Sequence, residues 1–331
     1  MILEKIFIPV ARELILFSDA RCCGVPFMCK ANDKVNVNVD SFRIDAHHHL
    51  WRYSAEEYGW IDDTMQPLKQ DFLASELLPA LISARVDGTV AVQARQTIAE
   101  TEWLLAIART TPSIWGVVGW LPISSPDFRS HLNLFSGDLL LKGLRHIVQA
   151  EPEGFLDQKE FNDGISALEG TDLVYDILIL ESQLAETMRF VDRHPKQSFV
   201  LDHIAKPRIA ADEIEPWGSW ICELSLRPNV TCKVSGLVTE ADPHHWTPAK
   251  LQPYFDVVLD AFGPQRLMIG TDWPVLTIGC DYPQWWGIVE DWIFPLTTDE
   301  RAQILGGTAA RVYSLQTRAA KAAQISQGES I

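Results

Sequence analysis

Cysteine is scarce, with six in 331 residues at positions 22, 23, 29, 222, 232 and 280 and no CxxC pair. That excludes a small disulfide-stapled secreted scaffold and points to reduced thiols in a cytoplasmic protein. Long apolar runs are also missing. No stretch reaches the roughly 18 to 20 residues of a membrane span, and Glu4, Lys5, Arg12 and Glu13 interrupt residues 2–17, which spoils a signal-peptide core as well. Positive charge is short: 28 Lys plus Arg against 44 Asp plus Glu leave a formal charge of -16. With no basic cluster interleaved with aromatics, phosphate backbones and anionic lipid would be repelled, so the expected partner is a small molecule, with no nucleic acid and no membrane. Finally, no glycine-rich phosphate turn follows the first predicted strand, which runs into Asp45-Ala46-His47-His48-His49 and so counts against a doubly wound dinucleotide fold.

What is present is a hydrophobic fraction of 47% beside 22% charged residues, enough to bury a large core. From Arg43 onward, short β-branched or apolar runs alternate with helical patterns, the signature of βα units and a parallel sheet. The runs 43–46, 88–93, 114–119, 140–146, 174–179, 198–202, 230–234 and 267–270 predict eight strands. Helix ends are well marked between them. Thr97 to Glu100 reads as a capping box opening a helix over 97–111; Thr247 caps and Pro248 starts a helix that Gly263 ends; Thr297 to Glu300 opens a last helix over 299–313. Eight βα pairs with short connections predict a (β/α)₈ TIM barrel over 43–318, with an N-terminal extension at 1–42 of unassigned role and a tail at 319–331.

In such a barrel the active site lies at the carboxyl ends of the strands. Polar residues collect there: His47 and His49 after strand 1, Gln93 after strand 2, Arg145 and His146 on strand 4, His203 and Lys206 after strand 6, Lys233 and Ser235 on strand 7, and Asp272 after strand 8. Side chains alternate along a strand, so His47 and His49 share a face and His48 points away. A single His-x-His is as compatible with core or solvated histidines, and Asp272 before Trp273-Pro274 with a capped turn. Taken jointly, His47, His49, His203 and Asp272 suit one divalent ion of the zinc type. Strand 5 ends without histidine, so at most one ion is expected. Trp51 and Trp273 adjoin the cluster and could wall a sugar ring.

The segments Ile44 to Trp51, Lys142 to His146, Leu201 to Pro207, Lys233 to Leu237 and Ile269 to Pro274 resemble, in order, the amidohydrolase superfamily and its lactonase branch, over residues 43–315. The resemblance implies a distorted, amidohydrolase-type barrel and hydrolysis of a lactone, with His47, His49, His203 and Asp272 carrying the motif histidines and aspartate. It leaves the metal open, since members differ in needing one. On this reading Asp272 is the general base, either zinc or Arg145 with His203 and Lys206 stabilises the oxyanion, and an imidazolium among the three histidines protonates the leaving oxygen. Gln93, His146, Lys233, Glu240, Trp51 and Trp273 would contact a sugar lactone of the L-fucono- or L-rhamnono- type. The alternatives are a 2-pyrone-4,6-dicarboxylate-like lactone, held by Arg145, Lys206 and Lys233 with Arg95 just past strand 2 as an addition, a metal-dependent decarboxylase of the same superfamily, or a silent sugar-binding barrel.

Overall fold

The structure is a computed structural model that describes residues 42–135 and 137–316. The predicted tail and all but the last residue of the predicted extension lie outside the described residues.

All eight predicted strands are present and lie in chain order in one parallel sheet: β1 (Ile44–His48), β2 (Gly88–Val92), β3 (Ile114–Gly119), β4 (Leu141–His146), β5 (Val174–Ile177), β6 (Phe199–Leu201), β7 (Val230–Val234) and β8 (Leu267–Ile269). Each is followed by a helix: α1 (Ala74–Ala84), α2 (Ile98–Thr110), α3 (Phe128–Phe135), α4 (Lys159–Leu168), α5 (Leu184–Arg193), α6 (Trp217–Ser225), α7 (Pro248–Phe262) and α8 (Tyr282–Ile293). Parallel neighbours need such crossovers, which bury the outer face of the sheet. The ring closes irregularly. β8 meets β1 through a His48–Trp273 bridge, with Asp272 N–H donating to the His47 carbonyl at 2.8 Å and His49 N–H to the Trp273 carbonyl at 2.6 Å. The result is a distorted (β/α)₈ barrel. No helix among the described residues is long and apolar enough to cross a membrane.

The first strand carries a device that alternation alone did not predict. Asp45 pairs with Thr89 and His48 with Ala91, three steps on β1 against two on β2, which is a β-bulge. The extra residue resets the alternation. Ile44 and Ala46 therefore join Val90, Val92, Val200 and Met268 in the apolar barrel interior, while His47 and His49 also turn inward, one layer higher.

Helix ends follow the expected chemistry with two differences. Thr97 caps α2 by accepting from Glu100 N–H at 3.2 Å, but the Glu100 carboxylate does not complete the box; it accepts from Ala94 and Arg95 N–H instead, at 3.2 and 2.6 Å. The predicted last helix is broken into α9 (Thr298–Ala302), a π-helical turn (Gln303–Gly307) and α10 (Thr308–Val312). The break falls at Gly306, where a Cβ would sit 2.0 Å from the Phe42 carbonyl oxygen. The helix thus passes hard against the chain entering β1, and α10 closes the barrel floor, sending Ala309 and Tyr313 into the interior.

Candidate active site

Three imidazoles converge on one carboxylate at the carboxyl ends of the strands. His49 Nε2 lies 3.2 Å from Asp272 Oδ1, His47 Nε2 3.7 Å and His203 Nε2 3.9 Å. The opposite ring nitrogens are anchored: His49 Nδ1 on the Val92 carbonyl at 2.8 Å, His203 Nδ1 on Ser235 Oγ at 2.9 Å, and His47 Nδ1 3.3 Å from Asp202 Oδ1. Anchoring one nitrogen aims the other, which is how proteins present histidine lone pairs to a common point.

The backbone is bent to make this geometry. His203, Ile204, Ala205 and Lys206 take φ of 51°, 49°, 61° and 48°, one turn of left-handed backbone, and Asp272 has φ 60°. Each such residue costs about 1–2 kcal/mol, so the turn persists only because its surroundings determine it. Trp217 Nε1 donates to the Ile204 carbonyl at 2.7 Å. Gly236 lies beneath, where a Cβ would come within 2.7 Å of His203 Cβ; Gly270 makes the same room, also 2.7 Å, for His47. Asp45 ties the two ends of the ring, accepting from Thr271 N–H at 2.9 Å, Thr271 Oγ1 at 2.6 Å and Tyr282 OH at 2.9 Å.

Burial sets the charge states. It pushes His203 down to about 4, against the pull of Asp272 and Asp202, and holds His47 well below the ordinary histidine range. For Asp272 burial acts upward, but His203, His49 and His47 outweigh it and hold the carboxyl well below the usual carboxylate range. Neutral imidazoles around an ionised carboxylate are the forms that ligate metal. The donor atoms also fit. His47 Nε2 and His49 Nε2 are 3.2 Å apart, close to the ~3.3 Å edge of a tetrahedron with metal–ligand bonds of about 2.0–2.1 Å. A guanidinium stands beside them, with Arg145 Nη1 3.2 Å from His47 Nε2.

The other predicted contacts are distributed differently. Arg145 reaches the cluster, donating to Asp202 Oδ2 at 3.0 Å and to the Gln93 carbonyl, while Gln93 Nε2 donates to the Arg145 carbonyl at 3.2 Å. Lys206 and Glu240 pair with each other at 3.2 Å and remain partly exposed. Trp273 is nearly buried, edge-on to Phe72. His146 stacks on Phe155 and pairs with Glu151 at 2.8 Å rather than joining the cluster. Trp51 is fully buried, with its indole N–H on the Gln70 carbonyl, and presents no open ring face. Lys233 is fully buried beneath the imidazoles. Asp202 and Asp176 are the residues that strand-end reading missed. Their signal was a charge inside or at the end of an apolar strand, Val-Tyr-Asp-Ile in β5 and Phe-Val-Leu-Asp in β6.

Fold and centre together define a hydrolase-type barrel with a metal-competent histidine–aspartate site at its mouth. The chain belongs to the amidohydrolase family, whose model matches residues 44–315, and it is an enzyme. It is 39% identical over 289 residues to an L-fucono-1,5-lactonase of Burkholderia multivorans, covering 84% of this chain and 97% of that one. An L-fucono-1,5-lactonase of Burkholderia ambifaria is 35% identical over 280 residues, 83% and 96% of the two chains. Among solved structures, a zinc-bound amidohydrolase from Burkholderia multivorans superposes with a TM-score of 0.80 at 39% identity, covering 83% of this chain and all of that one.

Proposed function

We propose that this enzyme opens the ring of a neutral, polyhydroxylated aldonolactone, with Asp272 as the base that takes a proton from the attacking water. The convergence of three imidazoles on the Asp272 carboxylate carries the reading, and the L-fucono-1,5-lactonase relatives favour this substrate class. His47, His49 and Asp272, with His203 beside them, would hold one divalent ion, zinc by donor type. When bound, such an ion acidifies a water and polarises a carbonyl. The chain's own groups do the rest. Asp272 is ionised at neutral pH and free to accept the proton. Arg145 brings positive charge to the edge of the site where the tetrahedral intermediate gathers negative charge. Burial disfavours the charged forms of His47 and His203, so neither serves as the acid, and the proton returned to the leaving ring oxygen is the one Asp272 has taken up.

The pairing of the cations favours a neutral over an acidic lactone. A dicarboxylate needs unpaired positive charge, yet Arg145 is held by Asp202 at 3.0 Å, Lys206 by Glu240 at 3.2 Å, Lys233 by Asp176 at 2.6 Å and Arg95 by Glu57 at 2.6 Å. Seating a second carboxylate would break one of these pairs, whereas sugar hydroxyls can share them. The reduced, buried Cys222, Cys232 and Cys280 suit a cytoplasmic setting. Proton release from a panel of aldonolactones and dicarboxylic lactones tests the proposal. Turnover of L-fucono- or L-rhamnono-lactone is expected, falling about 10²–10⁴-fold in Asp272→Asn. Wild-type turnover by that variant removes the base, and turnover confined to the dicarboxylates removes the substrate class.

A further inference from the structure

A cavity of about 1050 Å³ opens at the amino ends of β3, β4 and β5, the end of the barrel opposite Asp272. Its apolar wall is formed by Trp115, Leu132, Phe135, Leu139, Leu140 and Leu173. Leu139 is 66% exposed, and Leu134, on α3 between the lining residues Asn133 and Phe135, is 79% exposed. Apolar surface left open in this way marks a place that another group covers. The occupant is not a small anion. Two of the cations on the wall are turned to the protein's own acceptors, Arg109 to the Asp138 carboxylate and Lys142 to the Ser314 carbonyl at 2.9 Å. The volume also lies above the ~300–1,000 Å³ of ordinary small-molecule sites.

Both ends of the described chain arrive at this cavity. Phe42, the first residue described, packs its ring edge-on against Trp115 with centroids 5.4 Å apart. Ser314 and Gln316 line the cavity, and Gln316 is the last residue described. The 41 residues before Phe42 and the 15 after Gln316 therefore leave the barrel at its rim. Their compositions differ. Residues 2–17 carry ten large apolar side chains, Ile2, Leu3, Ile6, Phe7, Ile8, Val10, Leu14, Ile15, Leu16 and Phe17, and the charges of Glu4, Lys5, Arg12 and Glu13 cancel. Residues 317–331 carry only Ile325 and Ile331, too few to fill an apolar cavity. Reach is no obstacle, since the 24 residues at 18–41 can span up to about 80 Å when extended. A second copy of the chain fits less well, because it would bring a formal charge of -16 against an equal charge.

We propose that the cavity is a docking site for residues 2–17 of the same chain, which cover the apolar floor of the barrel between α3 and the segment after α10. The family match begins only at residue 44, so this cover is an addition to the barrel that the family shares. Its place sets its role. Residues at the amino ends of barrel strands serve stability while the carboxyl ends carry the chemistry, so the segment holds the floor together and leaves turnover to the opposite end. The inference stands apart from the choice of lactone.

The test is photo-crosslinking in the full chain, with p-benzoylphenylalanine replacing Leu139 and, as a control, replacing Ile82, which is exposed on α1. Irradiation of the Leu139 variant should give a crosslink within one chain, at monomer size, to a peptide from residues 2–17, and the Ile82 variant should give none to that peptide. Adding Ile6→Asp and Phe7→Asp to the Leu139 variant should abolish the crosslink. A second measurement needs no photoprobe. In the otherwise natural chain, Ile6→Asp with Phe7→Asp should remove hydrogen-exchange protection over residues 137–142 and leave turnover unchanged. This measurement decides alone if the photoprobe variant does not fold. A crosslink from position 139 only into residues 317–331, only into a second copy, or nowhere overturns the proposal, as does exchange at 137–142 that the two aspartates do not alter.

Discussion

At the scale of single residues, the geometry of the cluster depends on two absent side chains as much as on the histidines and the aspartate. Gly236 has φ +74° and Gly270 abuts the His47 backbone; each leaves a gap that a Cβ would close to 2.7 Å from an imidazole-bearing Cβ. Gly236→Ala should therefore cost on the order of 1–3 kcal/mol and also displace His203, lowering zinc affinity. Gly287, inside α8 with open space at its Cβ position, is the matched control. Gly287→Ala should be neutral or stabilise by about 0.5–1 kcal/mol. Thermal melts and zinc titrations of the pair separate a local packing demand from a general effect of alanine. If both variants behave alike, the room beneath His203 is not what Gly236 provides.

At the scale of elements, Glu100 shows how a sequence motif can be recruited for another purpose. The residue stands at the third position of α2, as a capping box requires, but its carboxylate is turned to the Ala94 and Arg95 amides that follow β2. Burial pushes it up to about 7, with those amides and Arg95 opposing. An unfolded glutamate titrates near 4.5, so the folded chain holds the extra proton between those values. Its stabilising contribution is thus full below pH 4.5 and lost as pH rises through about 7. In Glu100→Gln nothing titrates at this position. The melting temperature of wild type minus that of the variant should fall steadily from pH 4.5 to 7.5, and a pH-independent difference would remove the buried-carboxyl account. The β1 bulge and the π-helical turn at Gly306 belong to this scale too. One aligns two histidines above an apolar layer, and the other steers α10 under the barrel.

At the scale of the whole molecule, the centre joins both ends of the ring. His47 and His49 come from the end of the first strand and the residue after it, Asp272 from the segment after the last, and the β8-to-β1 seam is closed by the segments that carry them. An ion bound there would staple the barrel where its hydrogen bonding is weakest. Zinc at about 100 times its dissociation constant should raise unfolding stability by about 2.7 kcal/mol, and the rise should vanish in Asp272→Asn. Calorimetry with and without chelator reads this directly; a zinc shift that survives the substitution would place the ion elsewhere.

The order of eight strands, their approximate limits and the four convergent residues were all legible in the sequence, because hydrophobic periodicity and strand-end polarity are local properties. The convergence of Asp272 and His203 on the His47–His49 pair was readable for that reason. Tertiary structure alone decided which neighbours those residues have. Lys233 and Trp51 sit at positions that read as substrate contacts, but the barrel interior and the loop after β1 bury them. Asp176 and Tyr313, 137 positions apart, meet only because α10 folds back beneath the floor. Contacts of that kind are set by barrel closure and by where helices end, which no short segment of sequence encodes by itself.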